Sequence, residues 1–200
     1  MVDFQSRDRR RDDGRDSDDP ADEEPEAAAE PTATDYDPGT VPFAVVTVAD
    51  DRSIAEDETG DAVIEAIEAA GDAVSTRELI GSTYDGVQST LGTVVKRADV
   101  DSVVTVGGTG IEPDDVTVDA ASALFDKRLP GFGELFRVIS HEQEGTAIVR
   151  TRATAGIIDG VPVFCLPGTT EGARRGLTQI VLEEAGVLAE QAAQPTADAD

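Results

Sequence analysis

The chain has 200 residues, with 42 Asp and Glu against 16 Lys and Arg, a net charge of −26 and a single cysteine. One cysteine builds neither a disulfide framework nor a cysteine-cluster zinc site, and so acidic a surface repels nucleic acid. There is no run of about 18 apolar residues for a membrane span and no apolar N-terminal h-region of a secretory signal, so the expected location is cytoplasmic.

The basic residues are also unusual. Lys96 and Lys127 are the two lysines, and the remaining 14 basic residues are Arg. Solubility of a small domain needs a net charge of only roughly 2–8, and a larger excess repels itself. At about 1 M salt the Debye length falls to about 3 Å and that repulsion is screened. With 39% hydrophobic residues the apolar content is still that of a globular protein. The composition reads as that of a halophile's cytosolic protein.

Residues 1–40 hold 14 acidic and 5 basic residues, four prolines and few large apolar side chains, and are expected to be a disordered extension. The foldable core is expected over 41–190, with a frayed tail over 191–200. Val41–Val48 is β-branched and predicts a buried strand. Thr59–Ala70 predicts a helix capped by Thr59, with Val63, Ile64 and Ile67 on one face and Gly71 ending it. Ala73–Leu79 is a weaker strand, and Asp85–Arg97 a helix with Val87, Leu91, Val94 and Val95 inward. Ser102–Val106 is a strand. Asp115–Lys127 and Gly133–Glu142 read as helices, Thr146–Arg150 and Val161–Leu166 as strands, and Thr170–Ala185 as a closing helix. This alternation predicts a three-layer α/β fold, a mostly parallel sheet with helices on both faces. Ligands of such a sheet bind beyond the carboxyl ends of its strands.

The sharpest local signal follows the third strand, where Val104-Thr-Val runs into Gly107-Gly108-Thr109-Gly110 and then Asp114-Asp115-Val116-Thr117. Glycines permit positive φ and close backbone approach, and exposed N–H groups at such a turn cradle phosphate. No Gly-Lys-Ser/Thr follows, so this is not a Walker loop, and the spacing is not that of a dinucleotide fingerprint. Asp114 and Asp115 are candidates both for capping the next helix and for holding Mg²⁺ beside a phosphate. Three further segments stand out: Leu129-Pro-Gly-Phe-Gly-Glu-Leu-Phe-Arg137, Thr151-Arg-Ala-Thr-Ala-Gly156 and Cys165-Leu-Pro-Gly-Thr-Thr170. Arg152 reads as a partner either for phosphate or for one of the many carboxylates. His141 is expected on a helix surface and Cys165 in a buried strand, neither of them catalytic.

These four segments, in this order and spacing, together with Ala49-Asp50-Asp51-Arg52 and Asp57-Glu-Thr-Gly60, resemble the MoaB/MogA family of molybdenum cofactor biosynthesis. The resemblance runs from residue 43 to about 188. It implies a homotrimer or dimer of trimers, and Mg²⁺- and ATP-dependent adenylylation of molybdopterin, whose product passes to a molybdenum insertase. Carried over by motif, Gly107, Gly108, Thr109, Gly110 and Thr117 belong to the phosphate site, Asp115 is an essential carboxylate acting through Mg²⁺, Gly131 and Glu134 line the pocket, and Pro167 and Gly168 close it. Asp50 and Asp85 are the further catalytic candidates. The sequence departs from the family at Ala49, where Ser is frequent, and at Gly81-Ser-Thr-Tyr-Asp85, where a Pro-Asp pair is frequent. A binding protein of the same fold without turnover is the alternative. The CinA-type proteins, which share a related domain, are a third.

Overall fold

The structure, a computed structural model, describes residues 39–193. The chain divides into Met1–Asp35 and Tyr36–Asp200, and the described residues all belong to the second unit. The extension expected over 1–40 thus lies, up to residue 38, outside the described residues, as do residues 194–200 of the expected tail.

Six strands form one sheet in the order β2-β1-β3-β6-β5-β4. Strands β1 (Pro42–Val48), β2 (Ala73–Ile80), β3 (Ser102–Val106) and β6 (Val161–Leu166) are mutually parallel. The two-residue β4 (Lys127–Arg128) and β5 (Thr154–Ile158) form an antiparallel margin. The β-branched runs take the centre because both sheet faces are covered. Along β1, Phe43 and Val45 enter one core while Ala44, Val46 and Val48 enter the other, the two-residue period of a strand.

Two helices, α1 (Glu58–Ala69) and α4 (Pro130–Glu144), cover the first face with α5 (Thr170–Gly176) and α6 (Leu182–Ala193), through Val63, Ile67, Phe136, Ala173 and Ala185. The opposite face is covered by α2 (Tyr84–Val94) and the short α3 (Thr117–Ser122), through Val87, Leu91, Val94, Ala120 and Ala121. The expected three-layer architecture is therefore present. Cys165 is fully buried against the second core, and burial pushes its thiol up to about 11, which makes it inert at neutral pH. His141 is exposed on α4.

Several expected boundaries differ. Asp57, not Thr59, caps α1: its carboxylate accepts from the Gly60 amide at 3.0 Å. The helix expected over Asp115–Lys127 shrinks to Thr117–Ser122, and its N-cap residue, Val116, makes no side-chain capping bond. Neither Asp114 nor Asp115 caps it. The strand expected over Thr146–Arg150 is a 3₁₀ segment spanning Gly145–Arg150, and the sheet takes Thr154–Ile158 instead. At Gly156 a Cβ would lie 2.4 Å from the Phe125 ring, so that ring packs directly on the β5 backbone. The closing helix runs on through a π segment (Leu177–Val181) to Ala193, so residues 191–193 are helical rather than frayed.

Candidate functional site

Chain order reverses direction at β1, with β2 on one side and β3 on the other. Such a switch point opens a crevice beyond the strand ends. Thr47 pairs with Val106, and Val106 with Leu166, so the loops after β1, β3 and β6 emerge side by side. Gly107 adopts φ +101°, and a Cβ on it would lie 2.5 Å from the Val48 carbonyl oxygen. A Cβ on Gly168 would lie 3.2 Å from the Gly107 Cα. Backbone thus packs on backbone where the three loops meet: Gly107 has no room for a side chain, and one at Gly168 would need its neighbour to give by a few tenths of an ångström.

Two cavities flank this junction. One, of about 360 Å³, is lined by Gly108, Thr109, Gly110, Asp115, Glu144, Ala147, Arg150, Thr151, Pro167, Gly168 and Thr169. The other, of about 330 Å³, is lined by Val48 to Arg52, Ser82, Gly107, Gly108, Asp114, Asp115 and Gly168. Gly108, Asp115 and Gly168 belong to both and form the rim between them. Among the described residues, none accepts a hydrogen bond from the N–H of Gly108, Thr109 or Gly110. These amides are left without an intramolecular acceptor.

Asp115 folds back on its own loop, one carboxylate oxygen accepting from the Glu112 amide at 2.8 Å. Its second oxygen makes no such bond. Asp50 accepts from the Ser82 amide at 3.0 Å and stands in the same cavity as Asp114 and Asp115. Among the described residues, no three His, Cys, Asp or Glu side chains group closely enough to hold a metal by themselves. That donor set fits Mg²⁺, which binds through one or two carboxylates together with phosphate oxygens and water. Thr117 is fully buried with its hydroxyl unpartnered, and a Cβ on Gly108 would strike that hydroxyl at 2.2 Å.

The remaining candidates lie elsewhere. Asp85 is exposed at the start of α2 and lines neither cavity. Gly131 sits at the opposite end of α4 from Glu144, about 20 Å away at 1.5 Å per residue. It lines a separate apolar cavity of about 340 Å³ with Leu129, Phe132, Leu135 and Phe164. Glu134 is exposed on the same helix and lines neither of the two cavities. A larger cavity of about 620 Å³ opens at the start of β1 and β6 and contains no motif residue. Sequence reading passed over Arg150, Glu144 and Ser82. Arg150 carried one signal, being a rare basic residue two positions before the Arg152-Ala-Thr-Ala-Gly segment.

Behind the first loop, Asp57 is buried and accepts from the Thr47 hydroxyl at 2.7 Å, the Gly60 amide and Arg77 at 3.2 Å. Burial alone would raise its pKa, yet these donors hold the carboxyl below its usual value. The Thr59 hydroxyl shares a 2.9 Å hydrogen bond with that of Thr170, joining the start of α1 to the start of α5.

Residues 44–186 match the family model described as a probable molybdopterin binding domain. The chain belongs to that family. It is 37% identical over 150 residues to molybdenum cofactor biosynthesis protein B of Halalkalibacterium halodurans, covering 74% of this chain and 88% of that protein. It is 40% identical over 157 residues to the molybdopterin adenylyltransferase of Pyrococcus furiosus, covering 76% and 91%. Among solved structures, a molybdenum cofactor biosynthesis protein B superposes with TM-score 0.75 at 35% identity, over 78% of this chain and 98% of that one. CinA from Thermoplasma acidophilum, 14% identical with TM-score 0.51 over 70% of this chain and 96% of its own, shares the fold alone.

Proposed function

We propose that this member of the molybdopterin-binding family is a molybdopterin adenylyltransferase. Two adjoining cavities with a common rim support this reading, since a two-substrate transfer needs both reactants to meet at one point. Arg150 lines the first cavity, while Arg52 in the second is already paired with Asp51 at 2.8 Å. On a chain of net charge −26, Arg150 and the free amides are what make an anionic ligand tolerable.

A terminal phosphate oxygen of the pterin attacks the α-phosphorus of ATP. The new P–O bond forms as the bond from the α-phosphorus to the β-bridging oxygen breaks, and pyrophosphate leaves with that electron pair. No protein nucleophile is required, so the buried Cys165 and the exposed His141 stand outside the reaction. The work left to the chain is positioning and charge stabilisation. The amides of Gly108, Thr109 and Gly110 bind phosphate oxygens, and Asp115, with Asp50 nearby, would hold Mg²⁺. That ion, when bound, neutralises charge between the two phosphate groups.

In this reading the protein works in the cytoplasm as a homotrimer or dimer of trimers and passes adenylyl-molybdopterin to a molybdenum insertase. Incubation with ATP, Mg²⁺ and molybdopterin in molar KCl tests it: adenylyl-molybdopterin and pyrophosphate should appear in equal amounts. The exposed position of Asp85, outside both cavities, favours the second reading, a protein that binds pterin or nucleotide without turnover. Tight binding with no product would select it.

A further inference from the structure

Arg152 reaches the glycine loop from behind and lines neither cavity. Its Nε donates to the Gly110 carbonyl at 2.7 Å and one terminal nitrogen donates to the Asp115 carbonyl at 2.5 Å. The other terminal nitrogen meets both oxygens of Asp119, at 3.0 and 2.8 Å. Its backbone amide donates to the Thr109 carbonyl at 2.7 Å. One residue therefore ties down three carbonyls of the loop and anchors it to α3. We propose that Arg152 is a positioning residue, a clamp that sets the phosphate-binding shape of residues 109–115 without touching the ligand.

The geometry of the peptide unit gives the reason. Carbonyl and N–H of a trans peptide point in opposite directions. With the Thr109 and Gly110 carbonyls turned to Arg152, the N–H groups of Gly110 and Ile111 face away from it. The Asp115 carbonyl is held by the same guanidinium, so the spacing between the glycines and the Asp115 carboxylate is fixed before any ligand arrives. The planar fork of arginine, donating in three directions, does this; the ammonium of lysine cannot reproduce the fork. Of the two sequence readings for Arg152, phosphate or carboxylate, the structure selects the carboxylate and adds three carbonyls.

The proposal rests on the adenylyltransferase reading, so binding is measured separately from turnover, with magnesium pyrophosphate and ATP as probes in molar KCl. Arg152→Lys should melt close to the parent, lose tenfold or more in pyrophosphate affinity, and exchange its amides at 108–116 faster while β1 and β3 stay protected. Arg152→Ala should regain part of its affinity when millimolar guanidinium is added, which a general loss of stability would not allow. If either Arg152 variant fails to fold, Asp119→Ala, which keeps the three carbonyl bonds but removes the anchor, should give the same loss in milder form. Parent-like affinity and exchange in the variants that fold would overturn the clamp while leaving the site reading intact. A parent that binds neither probe would overturn both.

Discussion

At the residue scale, the glycine run carries two kinds of glycine, and they fail differently. Gly108 has φ +64°, and its missing Cβ space is filled by the buried Thr117 hydroxyl. Gly108→Ala should cost about 1–3 kcal/mol from the backbone strain alone, visible in denaturant titrations at fixed KCl. Gly110 has an ordinary φ, and there the missing Cβ space lies 2.4 Å from the Asp115 carboxylate. Gly110→Ala should leave stability near the parent's and displace that carboxylate, lowering transfer and pyrophosphate binding. Asp115→Asn keeps the size and the bond from the Glu112 amide but removes the charge. It should keep the fold and cut transfer by about 10²-fold or more, the scale of losing one preorganised charge stabiliser. Steady-state rates near the parent's would sink the metal assignment for Asp115.

At the element scale, Asp57 links β1, α1 and β2 through Thr47, Gly60 and Arg77. Its folded pKa is depressed, so the folded state binds fewer protons than the unfolded chain, whose Asp titrates near 3.9. The stability it contributes is present above that value and is lost as pH falls through the lower folded value. Asp57→Asn should therefore cost about 1.5–3 kcal/mol at neutral pH, the usual worth of a hydrogen bond to a charged group. The gap between variant and parent should narrow below pH 4 in thermal melts. The same element shows what a sequence conceals. Its helix was legible from Val63, Ile64 and Ile67, yet Thr59 was read as the cap, and only the fold places Asp57 under the first turn. The strand at 154–158 was hidden because Gly156 lowers strand propensity, while Thr146-Ala-Ile-Val-Arg150 shows the opposite bias and forms a 3₁₀ turn. The glycine loop was legible because strand, glycines and acidic pair are contiguous. Arg150 and Glu144 were not, since they reach the loop from a distant segment.

At the scale of the whole molecule, charge is the dominant unresolved force. Residues 41–200 alone carry 28 acidic and 11 basic residues. Among the described residues six ion pairs form, each with an Arg, and most involve a partner that is largely exposed. Pairs of that kind contribute about 0–1 kcal/mol each and cannot offset the repulsion. Buried Val, Ile, Leu and Phe hold the two cores together, and the surface works against them at low ionic strength. Added salt screens the repulsion at long range and strengthens burial where the anion is excluded from the surface. The melting temperature should therefore rise steeply between 0.1 and 2 M KCl, on the way through a Debye length of about 3 Å near 1 M. A melting temperature indifferent to KCl would mean that the acidic surface is already balanced, and the reading of the chain as a halophile's protein would fall with it.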